Sequence, residues 1–431
     1  MARALKTPAA RAIASLAGLG LIAATLAGCT TATTTSPSTT TTTVESTVAT
    51  TTASLWDSTA VHSIAVTVDP TELDTLVSTY LSTGEKVWVS ATVVIDGVTF
   101  ENVGIKLKGN SSLRTISSGD DPATMPWIIR LDKFVDGQNY EGETQLVVRA
   151  NSTETALNEA VALELLSAAG LASEEAVASR FTVNGGETQL RLVIQNPDSD
   201  WDADAFGTEG LLYKAESGGD YTYRGEDPAS YTDIFEQEAG DDNLQPLIDF
   251  LKFINESDDA TFAADLSQYL DVNAFATYLA YQDLVDNFDD IDGPGNNSYL
   301  HYDEATGVMT VVNWDLNLAF GTANVDGGGQ PGAGGQPGQV GGARPNGGGA
   351  GGAGGPSSGN VLSERFLANS DFAALVTSAK TTLTETLYTS GTADQILDEW
   401  VTVLKGQASD LVSASTVESE AAAVRSYFSA S

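Results

Sequence analysis

One cysteine, two histidines and 20 basic residues against 58 acidic ones limit what this chain of 431 residues can do. The lone thiol, Cys29, has no partner for a disulfide and no companions for a thiolate metal site, so the fold rests on packing alone. His62 and His301 have no second histidine at helical spacing, which argues against a histidine zinc site. Without a GxSxG elbow, a hydrolase triad also lacks its material. The formal net charge of −38 repels nucleic acid phosphates and anionic lipid heads, so no nucleic acid partner is expected. Cations, or cationic stretches of another protein, suit such a body better.

The first residues carry an address. In "MARALKTPAARAIASLAGLGLIAATLAGC", Arg3, Lys6 and Arg11 precede a short apolar run, the pattern of a signal peptide over 1–28. "LAGC" looks like a bacterial lipobox, which predicts lipidation of Cys29 and a place on the extracytoplasmic face of the cell membrane. Residues 29–54, nearly all Thr, Ser and Ala, read as a tether that cannot offset its own ordering entropy. The folded part is expected over 55–326 and 361–431. A Gly/Pro-rich flexible insertion, 327–360, separates the two.

Alternating strands are predicted in "SIAVTVDP", "VWVSATVVIDGVTFENVGIKLKG", "WIIRLD", "TQLVVRA" and "SRFTVNGGETQLRLVIQ", with hairpin turns at Asp96-Gly97 and Asn184-Gly185-Gly186. A short helix should start at Pro70 or Thr71. The clearest helix is "ETALNEAVALELLSAAG", with Ala156, Ala160, Leu163 and Ser167 as its packing stripe. Helices near 244–255 and 272–286, a hairpin turning at Gly307, and a helical C-terminal part complete an α+β pattern, β-rich first and mostly helical afterwards. His301, on an alternating strand, is expected to fill space.

Chemistry concentrates in "DNFDDIDGPGNNSYLHY", residues 286–302, and in Asp315 beyond it. The spacing excludes an EF-hand, because Phe288, or Pro294 and His301, would fall at ligand positions. What remains is a hard-oxygen site of the kind that binds Mg²⁺ or Mn²⁺ together with phosphate. A phosphoryl-transfer site needs a carboxylate to orient the attacking hydroxyl and an Asn and an Asp to hold metal. The stretch supplies Asp, Asn and Asp in that order. Asp286, Asp290 and Asp292 are expected to face water.

"VGIKLKGNSSL", "LNEAVALELLSAAGLAS", "LLYKAES", "GGDYTYRGEDPASYTDIFE" and "NFDDIDGPGNNSYLHYDEATGVMTVVNWDLNLAFG" together resemble the spore-coat protein H (CotH) kinase family, over most of 61–414. The resemblance implies an atypical protein-kinase-like fold that uses ATP with Mg²⁺ or Mn²⁺, with Asp289 as the catalytic aspartate and Asn297 and Asp315 as the metal-binding pair. Such an enzyme also needs a cation on the nucleotide phosphates and an acid to position it. Lys108, Arg130, Lys133 and Lys214 are candidates for the first, with Asn110 and Ser111 of "GNSS" as a phosphate cradle; Glu159 and Glu164 are candidates for the second. Asn296, Ser298 and Gln195 depart from the family pattern, Gln195 standing where an acid is usual. The implied activity is a lipid-anchored kinase acting on Ser or Thr of a protein acceptor, its own Thr-rich tether among the acceptors. An inactive surface binding module and a cation-stabilised structural domain stay open beside it.

Overall fold

The computed structural model describes residues 54–207, 210–216, 219–292, 297–322 and 360–429. The expected signal peptide, the lipidation site Cys29, nearly all of the tether, Asn296 and nearly all of the Gly/Pro-rich insertion lie outside the described residues.

Seven strands make a closed barrel: β1 (Val61–Val68), β2 (Val89–Ile95), β3 (Val98–Leu107), β4 (Trp127–Arg130), β5 (Gln145–Val148), β6 (Ala176–Val183) and β7 (Gln189–Gln195), in the order β1-β2-β3-β4-β5-β7-β6. Closure comes from β1 running parallel to β6, Val61 opposite Ala178 through Val66 opposite Val183. The alternation in β1 sends Ile64, Val66 and Val68 inward, where Val93, Ile95, Ile105, Trp127, Phe181 and Val193 meet them. On β3 the inward residues Phe100 and Val103 are three apart instead of two. A bulge opposite Ala91 and Val93, with Asn102 at φ 55°, absorbs the extra residue. From there Ile105 and Leu107 point in, while Gly104, Lys106 and Lys108 face out. The first helix, α1 (Pro70–Thr83), packs Leu73, Leu76 and Val77 onto this core. It starts at Pro70, one of the two expected positions, and is capped by the Asp69 side chain accepting from Thr71 N and Glu72 N.

Helix α2 (Leu157–Ala168) is buried on nearly every side, from Leu157 to Leu166. The expected stripe is therefore too narrow, and Ser167 is exposed. Glu420 accepts the backbone N–H groups of Glu154 and Thr155, both at 3.0 Å, and so ties α2 to the C-terminal helices. A second sheet contains β8 (Gly210–Ala215), β9 (Phe235–Ala239), β10 (Ser298–Asp303) and β11 (Val308–Asn313) in the order β11-β10-β8-β9. Around it lie α3 (Ser199–Phe206), α4 (Gln245–Glu256), α5 (Asp259–Asp265), α6 (Val272–Leu284), α7 (Val361–Ala368), α8 (Ser370–Leu383), α9 (Thr392–Gln407) and α10 (Ala414–Arg425). His301 on β10 is buried, stacks on Phe206 and holds Asp202 at 2.7 Å, so it is a hydrogen-bonding partner as well as a filler. Among the described residues no helix is long and apolar enough to cross a membrane. The β-rich part followed by helices is as expected; the closed barrel is not an open sheet.

At the head of β1, buried His62 holds Asp96 of the β2–β3 turn at 2.7 Å. Burial alone would lower the His62 pKa, but the Asp96 carboxylate and Asp57 together outweigh it and the value rises above 6.5. Burial opposes the shift in Asp96 as well, yet His62 and the Ser63 N–H bring it below 3.8. The histidine's contribution to stability is thus full below pH 6.5 and lost as pH rises through its folded pKa. The aspartate's is present above pH 3.8 and lost as pH falls. Urea unfolding across pH 6 to 9 should show the parent losing stability that His62→Gln does not lose; parallel profiles would refute the clasp.

Candidate functional site

The outer face of β3, β4 and β5 is where the cations stand. Alternation places Gly104, Lys106 and Lys108 on that face, beside Ile128 and Arg130, then Gln145, Val147 and Arg149. Opposite lie Lys214, Ala215 and Glu216 from β8 and its end, with Glu236 and Glu238 of β9. Between the two walls opens a cleft of about 1180 Å³, also lined by Gly109, Asn110, Ser111, Phe288, Asp289, Asn297, Trp314 and Asp315. Every cleft candidate named for chemistry or phosphate therefore converges on one space: Asp289, Asn297, Asp315, Lys108, Asn110, Ser111, Lys214, Arg130 and Lys133.

Hydrogen bonds from buried and half-buried amides hold the acids in place. Asn287 Nδ2 donates to Gln282 Oε1 (2.9 Å), and Gln282 Nε2 donates to Asn313 Oδ1 (2.7 Å), joining the Asp289 loop to the end of β11. Asn297 Nδ2 donates to the Asp289 carbonyl at 2.7 Å. Asn158 of α2 holds the Asn317 carbonyl at 2.6 Å. Asp315 itself adopts φ 66°, a left-handed conformation that a non-glycine residue keeps only when its surroundings impose it. Burial first, then the nearby Asp315, raises the Asp289 pKa, with Asn297 partly opposing. Asp290, expected in water, is buried, and its carboxylate accepts from Asp292 N at 3.1 Å. The loop turns its chain inward there, beside Tyr278.

The residue that sequence reasoning missed is Arg149. Its guanidinium donates to Glu159 Oε2 at 3.1 Å and to Asp315 Oδ1, and lies 5.7 Å from the Trp314 ring centre. Burial would lower its pKa, but Asp315 and Glu159 outweigh that and raise it. Glu159 is pushed up to about 7 by burial, against the pull of Arg149. Of the two candidate positioning acids only Glu159 reaches the site; Glu164 accepts from Trp400 Nε1 at 2.7 Å, on the side of α9. The period-two spacing of Gln145, Val147 and Arg149 was the available signal.

Cations elsewhere sit on carboxylates: Arg180 on Asp410, Arg224 on Asp220, Lys252 on Glu226, Arg365 on Asp259, Lys380 on Asp283, Lys405 on Glu418 and Arg425 on Asp394. Arg191, buried, donates to backbone carbonyls including that of Arg149. In the cleft, Arg130 pairs with Asp132, and Lys214 with Glu216 and Glu238. Lys86, Lys106, Lys108, Arg114 and Lys133 make no salt bridge among the described residues. Lys106 and Lys133 lie 4.6 and 5.1 Å from the Trp88 ring centre. Lys108 donates to Asn196 Oδ1 at 2.6 Å and lies 5.0 Å from that of Trp314. Burial, reinforced by Lys214, brings the Lys108 ammonium down to about 7.

The family model for the CotH kinase protein matches residues 105–420. The chain belongs to the CotH kinase family. No curated protein matches the chain. The family match spans both walls of the cleft and the helices behind it. Gln195, expected at an acidic position of the family, donates to Glu143 Oε1 at 2.8 Å and is not among the residues that line the cleft, whereas Glu236 and Glu238 are. Ser298 is buried with its hydroxyl 2.9 Å from that of Tyr221.

Asn297 and Asp315 bring an amide and a carboxylate oxygen to the cleft, donors of the kind Mg²⁺ or Mn²⁺ takes. One carboxylate and one amide do not complete an octahedral shell, so phosphate oxygens and water would have to supply the rest. Among the described residues no three His, Cys, Asp or Glu side chains are placed to cage a metal. An amine-directed acylating reagent at pH 7.5 should modify Lys108 before exposed Lys252, whose pKa is raised by Glu226. Peptide mass spectrometry showing Lys252 reacting first would refute the depressed Lys108.

Proposed function

We propose that this CotH-family chain is a metal-dependent phosphotransferase that moves the γ-phosphoryl group of ATP to a Ser or Thr hydroxyl of a protein acceptor. What carries the reading is the convergence of a cluster of cations, of which Lys86, Lys106, Lys108, Arg114 and Lys133 make no salt bridge among the described residues, and the Asp289–Asn297–Asp315 set on one cleft of an otherwise acid-covered protein. A cleft of this charge and size suits a nucleoside triphosphate.

In this reading Lys108, Lys214 and the Gly109–Ser111 segment take the phosphates. Gly109 has φ 104°, and a Cβ there would come within 2.2 Å of Ser112 Oγ, so the chain passes close to its own hydroxyl where a side chain has no room. Asp289 orients the acceptor hydroxyl and takes its proton as the hydroxyl oxygen bonds to the γ-phosphorus and the bond from that phosphorus to the β–γ bridging oxygen breaks, releasing ADP. Its raised pKa makes it a better proton acceptor than an ordinary aspartate. Asn297 and Asp315 would hold the divalent ion, whose contribution there is to neutralise charge on the phosphates. Trp314 and Leu318 keep bulk water from the floor. Lipidation of Cys29, export and phosphorylation of the Thr-rich tether belong to the same proposal. An inactive binding module is the second reading, favoured by the Arg149 guanidinium resting on Asp315.

Thermal unfolding with ATP and Mn²⁺, with each alone, and with neither separates the two. ATP and metal together should raise the melting temperature more than either alone, and Asp315→Ala should abolish that gain. Transfer of labelled phosphate to the chain itself or to added protein should fall about 100-fold or more in Asp289→Asn. Stabilisation by metal alone, with no transfer, would leave a cation-braced module.

A further inference from the structure

Asp315 already has a cation on it. Arg149 reaches it from the end of β5, anchored by Glu159 behind, by its own carbonyl on Arg191 at 2.8 Å, and by the Trp314 ring. A carboxylate committed to a guanidinium has less charge to offer a second cation, and two cations on one acid repel each other. We propose that Arg149 is a resident counter-ion that keeps a divalent cation off Asp315 until an anionic ligand draws the guanidinium away. The inference rests on the phosphotransfer reading for Asp315 as a metal ligand.

The geometry gives Arg149 somewhere to go. Glu159 holds it at both Nε (3.1 Å) and Nη2 (2.8 Å), the second being the nitrogen that also meets Asp315, so contact with Asp315 can be surrendered while the anchor at Glu159 stays. Lys108, also within reach of the Trp314 ring, lies on the same wall, so a phosphate bound there would sit where both cations face it. Metal and nucleotide would then enter together rather than in sequence, and each would raise the affinity for the other by the same factor. Arg149 is in this sense a positioning residue, acting through Asp315.

Mn²⁺ binding to the full chain, followed by titration calorimetry and by loss of the free-ion electron spin resonance signal, tests this without turnover. In the absence of nucleotide, Arg149→Met should bind Mn²⁺ roughly ten-fold or more tightly than the parent. Because removing one member of a buried pair endangers the fold, Arg149→Met/Glu159→Gln, which removes both charges, is measured alongside and should show the same gain. Adding Asp315→Asn to either variant should erase it. A non-hydrolysable ATP analogue should tighten Mn²⁺ binding more in the parent than in the variants. Parent-like or weaker Mn²⁺ binding in both Arg149 variants overturns the proposal, as does a gain that survives Asp315→Asn. A gain through Asp315 that never answers to the ATP analogue supports exclusion by Arg149 and takes down the phosphotransfer reading instead, so the two failures are distinguishable.

Discussion

The Arg149 guanidinium joins three parts of the chain that are distant in sequence: the end of β5, the first turn of α2 and the segment after β11. Taking a guanidinium out of water costs several kcal/mol, and one carboxylate in imperfect geometry does not return it. Two do, and the arrangement follows from that need. Glu159 is buried because it faces this cation, α2 is buried around it, and Asn158, next in sequence, holds the Asn317 carbonyl. The barrel wall, the central helix and the acidic segment are thereby set in one register, and the width of the cleft is a consequence.

Charge is partitioned by the fold. An excess of carboxylates covers the surface and pairs with most cations there, each pair worth little in water. On the β3 wall Lys106 and Lys108 are set on alternate strand positions beside Trp88 and Trp314, while Lys214 across the cleft pairs with Glu216 and Glu238. Burial lowers the Lys86 and Lys106 pKa values, with Lys214 adding to it and Glu216 and Glu236 respectively opposing, and Lys108 is brought down to about 7. Like charges held together in a partly dry cleft are destabilising when the protein is alone, and an anion relieves them. That is the electrostatic form expected of a polyanion site, and it is hard to account for as surface solvation.

Much of this was legible in the sequence where the information is local. The hairpins at Asp96-Gly97 and Asn184-Gly185 follow from residues that tolerate positive φ, and the structure has them there. Barrel closure was not legible, because β1 meets β6 in parallel across the length of the barrel and no short pattern encodes that pairing. Glu159 and Glu164 looked equivalent, yet five residues on a helix separate them by about 140°, so only one can face the cleft. Arg149 was overlooked because it sits in a short strand remnant, and its role depends on Glu159 and Asp315 arriving from elsewhere. Asp290 was misjudged for a related reason: a run of acids reads as solvated unless the chain is known to turn inward.

Asp289 and Asp315 pose the opposite problem from Arg149, since two carboxylates near each other repel, which adds to burial in raising the Asp289 pKa. Something other than charge has to hold their backbones together. The chain Asn287–Gln282–Asn313 does so with buried amides, which do not titrate and are not screened by salt. In the Asn-Phe-Asp triplet the asparagine is thus a structural anchor, and its exposed neighbour Phe288 stands at the cleft beside the acid. A scaffold of neutral hydrogen bonds beneath a charged site lets the acids change protonation or partner without moving the backbone that carries them. Exchange of cations on Asp315 requires that property, because an acid held in place only by its counter-ion would shift whenever the counter-ion left.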